Sequence, residues 1–240
     1  MSDGPVVLLK LGCTLAETVR RVGDYEAWFQ RALPEEVLGL VDAEDPDAAL
    51  PDDISALIIM GSIHSVYEGT DWIKRGMDLA RQALDADVPT LGVCFGHQLL
   101  TEVLGGKVER HEGGFEGGTV SVDLTDAGRE DPLFDGLVGP VVVNESHGDT
   151  VTRAPEGAKV LAYNDHDGHQ AMRLGEKVWS VQFHPEMSRP EVVLALKGHR
   201  EKMIARGLDP EAAIRAARVT PHGPRLLRNF LRLARAGSDE

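Results

Sequence analysis

The chain has 240 residues, of which 42% are hydrophobic and 27% charged, as in an ordinary soluble globular protein. Its formal net charge of -14 argues against binding to nucleic-acid phosphates. Two cysteines are too few for a disulfide framework, and the sequence has no signal-peptide pattern and no apolar run of membrane-spanning length. The composition therefore predicts a cytoplasmic protein with neither a membrane nor a nucleic-acid partner.

The first half of the chain alternates strand and helix patterns. Short apolar runs predict buried strands at 6–11, 37–41, 54–60 and 89–93. Helical patterns follow at 14–33, 71–84 and 95–104, and the last of them ends at a pair of glycines. This alternation indicates a parallel sheet that is covered by helices on both faces.

The second half of the chain is predicted to contain short strands separated by turn residues, at 120–124, 141–143, 159–163, 170–174 and 178–183. Residues 175–177 are typical of a hairpin between the last two strands. From about residue 190 to 236 the pattern is helical again. We therefore expect a single domain over 1–240: a three-layer α/β/α sandwich with a mostly parallel central sheet and an antiparallel extension.

A candidate nucleophile lies where a predicted strand meets a predicted helix. Cys94 stands between Gly92 and Gly96, and glycines at these positions let neighbouring backbone pass close to a tight turn. The free N–H groups of the following helix would stabilise a thiolate and a developing oxyanion. A buried structural cysteine is the alternative for so short a pattern, but the strand–turn–helix setting favours a nucleophile.

A candidate base follows the last predicted strand. His184 and Glu186 are two residues apart in extended chain, so their side chains point to the same side, and Pro185 stiffens the turn between them. A carboxylate beside an imidazole orients the ring and stabilises its protonated form. A strand-end histidine with a solvated glutamate is the alternative. The presence of both segments in one chain favours a catalytic triad of Cys94, His184 and Glu186.

These segments together resemble the signature of the class I glutamine amidotransferases, which residues 92–98 and 182–186 match. Residues 144–149 resemble the Ser-His-Gly-Asp stretch of the amidotransferase domain of GMP synthase. Residues 61–67 resemble the family's oxyanion strand, although Ser62 and Ile63 replace its usual Gly-Pro. The resemblance runs from the first strand to the last helix and implies the flavodoxin-like fold of that family.

The resemblance also implies an activity. An enzyme of this family attacks the side-chain amide of glutamine, or of a γ-glutamyl group, and forms a γ-glutamyl thioester on its cysteine. Ammonia is released for transfer to an acceptor, and water hydrolyses the thioester. Backbone N–H groups of Ser62 and Phe95 would form the oxyanion hole. The substrate would be held by residues of three segments: Gly61, Gln98, Ser146, His147 and Gly148.

Other functions remain open. Ammonia transfer would involve a synthetase or acceptor subunit, whereas a γ-glutamyl peptidase with water as its sole acceptor needs none. A non-catalytic regulatory module that keeps the fold is a third hypothesis. No cofactor and no metal are expected, because the metal-capable run 164–169 has the composition of a turn and the spacing of no standard site. The glycine-rich run 113–118 is predicted to be a loop near the active-site mouth.

Overall fold

The computed structural model describes residues 4–137 and 139–236. Within these residues the strands are β1 (Val6–Lys10), β2 (Leu38–Asp42), β3 (Ala56–Ile59), β4 (Thr90–Val93), β5 (Lys107–Arg110), β6 (Glu116–Leu124), β7 (Val141–His147), β8 (Asp149–Arg153), β9 (Lys159–Tyr163), β10 (Ala171–Arg173) and β11 (Val178–Val181). The helices are α1 (Ala16–Val22), α2 (Tyr25–Ala32), α3 (Asp71–Asp85), α4 (Phe95–Val103), α5 (Asp126–Glu130), α6 (Arg189–Gly198), α7 (Arg200–Ala205), α8 (Pro210–Ala216) and α9 (His222–Ala236).

The described strands form a nine-stranded sheet in the order β2-β1-β3-β4-β11-β10-β9-β6-β7, with β5 and β8 as a separate antiparallel pair. Strands β2, β1, β3, β4 and β11 are parallel to their neighbours. Strands β10, β9, β6 and β7 extend the sheet in antiparallel fashion. The predicted α/β fold class, with a parallel sheet and an antiparallel extension, is confirmed.

Strand β1 explains why the sheet needs a layer of helices on each face. Val6 and Leu8 belong to one hydrophobic core, while Val7 and Leu9 belong to another. All four side chains are buried, because successive residues of a strand point to opposite faces. The first core includes residues of α2, α6 and α9, and the second includes residues of α3 and α4. Strands with this composition are stable only in the middle of a three-layer sandwich.

The helix predicted over 14–33 is two helices. Gly23 adopts a left-handed φ of 79° and ends α1, and the side chain of Asp24 then accepts hydrogen bonds from the backbone N–H groups of Tyr25 and Thr14. The break turns α2 onto the sheet, where Trp28 and Phe29 are buried. A glycine followed by an aspartate was the local signal for this break.

Three further differences concern the chain after helix α4. Strands β5 and β8 were not predicted, since they are short and carry charged residues. Strand β7 runs on to His147, beyond its predicted end. The predicted loop 113–118 is wrong in its second part, because Glu116 begins β6. The predicted hairpin at 175–177 is confirmed by the pairing of β10 with β11.

The longest described helices, α3 and α9, have 15 residues each. Within residues 4–137 and 139–236, no helix combines the length and the apolar character that crossing a membrane requires.

Candidate active site

Cys94 occupies the turn between β4 and α4 in a backbone conformation that few residues other than glycine adopt, with φ 52° and ψ -102°. Its N–H donates to the carbonyl of Val181 on the neighbouring strand at 2.8 Å. The flanking glycines are required by close contacts. A Cβ on Gly92 would lie 2.5 Å from the carbonyl oxygen of Gly96, and a Cβ on Gly96 would lie 2.2 Å from that of Ile59. The turn is therefore held in a strained conformation by its surroundings.

His184 reaches Cys94 because their strands are neighbours. Strand β11 pairs in parallel with β4, so the residues that follow the two strands emerge at the same edge of the sheet. A side-chain hydrogen bond with Cys94 and the charge of that residue are among the causes that raise the pKa of His184, so the two side chains lie close together. The Nδ1 of His184 lies 2.7 Å from Oε1 of Glu186, which leaves Nε2 to face the sulfur. The predicted nucleophile, base and orienting carboxylate are thus brought together, in an order compatible with proton transfer.

The electrostatics of this group favour a charged histidine. Burial on its own would lower the pKa of His184, but the negative charges of Cys94 and Glu186 and the hydrogen bonds to both raise it well above its ordinary value. All three side chains are buried, so these interactions are only weakly screened by water. The surroundings therefore favour the protonated form of His184.

His97 is a second histidine close to the nucleophile in sequence, but its surroundings differ. Its Nδ1 lies 2.8 Å from the hydroxyl of Ser180, and burial lowers its pKa to about 3. A neutral ring that is engaged elsewhere cannot pair with a thiolate. His184 is therefore the histidine suited to act as the base.

A cavity of about 240 Å³ opens at the carboxyl ends of the strands, and Cys94 lies on its wall. Five of the residues predicted to bind substrate or oxyanion also line it: Ser62, Gln98, Ser146, His147 and Gly148. Gly61, Phe95, His184 and Glu186 are outside the lining set. Gly61 packs behind His184, where a Cβ would lie 2.8 Å from the ring atom Cε1.

Hydrogen bonds limit what two of the lining side chains can offer a ligand. Gln98 donates through Nε2 to the carbonyl of Asp149 at 3.2 Å and to Oε1 of Gln182 at 3.0 Å. Its own Oε1 remains as an acceptor. The ring of His147 lies 3.0 Å from the carbonyl of Asp149 and 3.0 Å from Glu116. A contact from His147 to substrate would therefore come from its backbone.

The two predicted oxyanion donors follow neighbouring parallel strands, Ser62 after β3 and Phe95 after β4. Phe95 is the first residue of α4, so its N–H is one of the donors that have no partner within the helix. Ser62 follows β3, and its hydroxyl accepts a hydrogen bond from the N–H of His64 at 3.3 Å, which closes the turn. This geometry is compatible with an oxyanion hole, and the roles of the two N–H groups remain a prediction.

Sequence reasoning did not identify Tyr25, which packs directly on the base. Its ring is stacked on that of His184, with centroids 5.9 Å apart and planes 7° apart. It is also close to Gly61, whose Cβ would lie 3.2 Å from the tyrosine ring. Tyr25 and Gly61 hold the imidazole in place. No local pattern could have linked residue 25 to residue 184, because the contact depends on how α2 docks on the sheet.

A buried polar cluster lies behind the site, where Glu116, Glu145 and His147 place one ligand-type atom each within 4.8 Å of one another. Glu116 accepts hydrogen bonds from His147, Asn164 and Gln170, so its oxygens are already satisfied by protein groups. Hydrogen bonds within the protein therefore explain why Glu116 and His147 lie side by side. The predicted turn over 164–169 is confirmed, since Asn164 accepts from the N–H groups two and three residues on.

Glu145 is the exception in this cluster. It is fully buried, and within the described residues neither of its carboxylate oxygens has a hydrogen-bond partner. Burial and the charges of Glu116, Cys94 and Asp167 raise its pKa well above the ordinary value, although the positive charge of His184 opposes the shift. Glu145 therefore favours its neutral form in the folded protein.

We expect the variant Glu145→Gln to lose less stability than the wild type as pH rises. A carboxyl group whose folded pKa is raised stabilises the fold fully below its unfolded pKa of about 4.3, and this stability is lost as pH rises through the folded pKa. The glutamine cannot ionise. Relative to the wild type, its Tm should be about 2–4 °C higher at pH 8 than at pH 5, which corresponds to about 1 kcal/mol.

Thermal unfolding at several pH values would measure this effect. Glu130→Gln is the matched control, since Glu130 is exposed on α5 and its replacement should change Tm only slightly. A wild type and a Glu145→Gln variant with parallel pH profiles would contradict the assignment of a neutral Glu145.

Comparison with known proteins identifies the family. Residues 37–192 match the family model described as glutamine amidotransferase class-I. Among curated relatives, the chain is 38% identical over 158 residues to the GMP synthase [glutamine-hydrolyzing] of Porphyromonas gingivalis, a match that covers 64% of this chain and 30% of that protein. It is 32% identical over 152 residues to gamma-glutamyl peptidase 5 of Arabidopsis thaliana, covering 62% of this chain and 61% of that one.

The matches thus span less than two thirds of either relative. A glutamine amidotransferase from Thermotoga maritima has the same fold, with a TM-score of 0.76 at 22% identity over 97% of this chain and 99% of that one. The family model covers well over half of the sequence. The chain belongs to the class I glutamine amidotransferase family.

Proposed function

We propose that this chain cleaves the γ-amide bond of glutamine or of a γ-glutamyl compound through a thioester on Cys94. The observation that carries the proposal is that His184 lies next to Cys94, which is on the cavity wall, and 2.7 Å from the Glu186 carboxylate, and that both neighbours raise its pKa. Two curated relatives support it, since one is a glutamine-hydrolysing synthase and the other a γ-glutamyl peptidase. Both names imply attack on the same carbonyl group.

In the first half of the reaction, the thiolate of Cys94 attacks the γ-carbonyl carbon and a C–S bond forms. The charge on the carbonyl oxygen would be stabilised by the N–H groups of Phe95 and Ser62. As the C–N bond breaks, the leaving nitrogen takes a proton from the imidazolium of His184. Ammonia leaves if the substrate is glutamine, and an amine leaves if it is a γ-glutamyl peptide.

In the second half, water attacks the thioester and gives a proton to the now neutral His184. The C–S bond breaks, glutamate is released and the thiolate–imidazolium pair is restored. Glu186 keeps the ring oriented in both halves and stabilises its positive charge. Delivery of the ammonia to an acceptor would require a synthetase subunit, as the similarity to GMP synthase suggests. Water would be the sole acceptor in a γ-glutamyl hydrolase.

Covalent labelling tests the nucleophile. A glutamine-mimicking chloroketone is expected to alkylate Cys94, with a single adduct in the mass spectrum that peptide mapping places at that residue. Cys13, an exposed thiol in the same chain, is the internal control. Cys13→Ala should label fully and Cys94→Ala should not. If the label is found on Cys13 instead, or if added glutamine does not reduce the labelling of Cys94, the proposal is rejected and a non-catalytic module is favoured.

A further inference from the structure

Two cations face the cavity without an ion-pair partner. Arg110, the last residue of β5, and Lys202 on α7 both line the same cavity as Cys94. Within residues 4–137 and 139–236 neither forms a salt bridge, although the chain has 39 acidic residues against 25 basic ones. We call Arg110 and Lys202 the cationic rim. In so acidic a protein, two neighbouring cations without an ion-pair partner on a cavity wall indicate a binding site for an anionic group.

The two rim charges are close enough to affect each other. Burial and the positive charge of Arg110 lower the pKa of Lys202, while the charge of Asp149 opposes this shift. Asp149 is itself engaged, because its carboxylate accepts hydrogen bonds from the hydroxyls of Ser65 and Tyr67. The two cations thus outnumber the one carboxylate, Asp149, whose charge acts on Lys202, and an anionic ligand group would be attracted to them.

The remaining charged groups on the cavity wall do not alter this balance. Glu68 lies 2.8 Å from His64 and accepts a hydrogen bond from the N–H of Ser65. His199 precedes Lys202 on the same segment, and burial with the nearby lysine lowers its pKa to about 4, so it is neutral near neutral pH. The positive charge available to a ligand thus comes from Arg110 and Lys202.

The number of cations exceeds what glutamine needs. Glutamine brings one α-carboxylate and one α-ammonium group, and a single cation balances that carboxylate. A γ-glutamyl amino acid brings a second carboxylate, on the leaving group. We propose that Arg110 and Lys202 bind the carboxylate of the leaving group, so that γ-glutamyl peptides with a free carboxylate after the glutamyl residue are the preferred substrates. This inference rests on the proposed function of the site.

The position of Lys202 in the chain agrees with a role in specificity. It lies beyond the match to the family model, which ends at residue 192. Helix α7 is fixed against the cavity by Arg206, which donates to the carbonyl of Phe115, and by the contact of Phe115 with the ring of His199 at 4.8 Å. The C-terminal helical segment thereby adds a cation to the cavity that Cys94 lines.

Three substrates distinguish recognition of the leaving-group carboxylate from recognition of the α-carboxylate: γ-glutamyl-alanine, its C-terminal amide, and glutamine. All three carry the α-carboxylate, and only the first has a charged leaving group. The wild type should prefer the dipeptide to its amide by about tenfold in kcat/KM, as expected for charged hydrogen bonds. Arg110→Ala and Lys202→Ala should each lower kcat/KM for the dipeptide by about tenfold. The same variants should lower kcat/KM for the other two substrates by less than about threefold.

Two control variants distinguish a loss of leaving-group recognition from a general loss of activity. Lys74→Ala removes an exposed lysine on α3 and should change none of the three values, and Lys202→Arg should restore the preference. Equal losses for all three substrates would overturn the inference, because the rim would then hold the shared α-carboxylate. Equal wild-type rates for dipeptide and amide would also overturn it. If nothing is cleaved and Cys94 is not labelled, the proposed function itself fails.

Discussion

Replacing His184 with asparagine is expected to lower kcat for γ-glutamyl cleavage by about 10⁴- to 10⁶-fold, and Glu186→Gln by roughly 10²- to 10⁴-fold. The histidine must protonate the leaving nitrogen, and no other described ring is placed to do so, since that of His97 is neutral and bound to Ser180. Glu186 acts only through the ring that it orients, at 2.7 Å. Its loss should therefore be the smaller one.

The pH profile distinguishes an electrostatic role of Glu186 from a merely structural one. The negative charge of Glu186 is one of the causes that raise the pKa of His184. Removing it lowers this pKa, so the imidazolium deprotonates at a lower pH. The alkaline limb of kcat against pH should move to lower pH in Glu186→Gln, in addition to the loss of rate.

Steady-state kinetics from pH 5 to 10 would test both variants, with Tm values to show that each is folded. Glu156→Gln, which changes an exposed glutamate in the turn before β9, is the matched control and should leave rate and profile unchanged. A Glu186→Gln variant that keeps more than a tenth of its activity with an unshifted alkaline limb would exclude a catalytic triad.

The triad could be predicted because each of its parts is a local pattern. A strand followed by Gly92, Cys94 and Gly96 specifies the nucleophile turn within a few residues, and His184 with Glu186 follows a strand in the same way. The parallel pairing of β4 with β11 then brings the two ends to one edge. The one long-range step, that these two strands are neighbours, came from the resemblance to the family.

Other parts of the site depend on long-range packing that no short pattern records. The pair of Glu116 and His147 exists because these residues are opposite each other in the register of β6 and β7. The stacking of Tyr25 on His184 depends on the break between α1 and α2. The cationic rim depends on how α7 docks, and Lys202 in sequence resembles any exposed helical lysine.

The second large effect is expected at the nucleophile turn, where Gly96→Ala should destabilise the fold by about 3 kcal/mol. An added Cβ would lie 2.2 Å from the carbonyl oxygen of Ile59 and 2.8 Å from its carbonyl carbon. These are backbone atoms of β3, which is held between β1 and β4 and cannot move aside as a flexible side chain would. Helix α4 would have to shift instead.

Chemical and thermal denaturation would measure this cost, which corresponds to a fall in Tm of about 6–12 °C. Gly168→Ala is the matched control: a Cβ there meets no atom within 4 Å, so its effect should stay within about 0.5 kcal/mol. A Gly96→Ala variant as stable as Gly168→Ala would show that the helix does not pack on β3 as described.

Activity in Gly96→Ala should fall further than stability alone explains. Any shift of α4 away from β3 also moves Cys94, because the cysteine is the residue that joins β4 to this helix. The sulfur would then leave the position from which it contacts His184, and displacements of about 1 Å cost roughly 100-fold in rate. A folded Gly96→Ala fraction with full activity would mean that the sulfur position is set by β4 alone. A folded but slow fraction would mean that close packing of α4 on β3 positions the nucleophile.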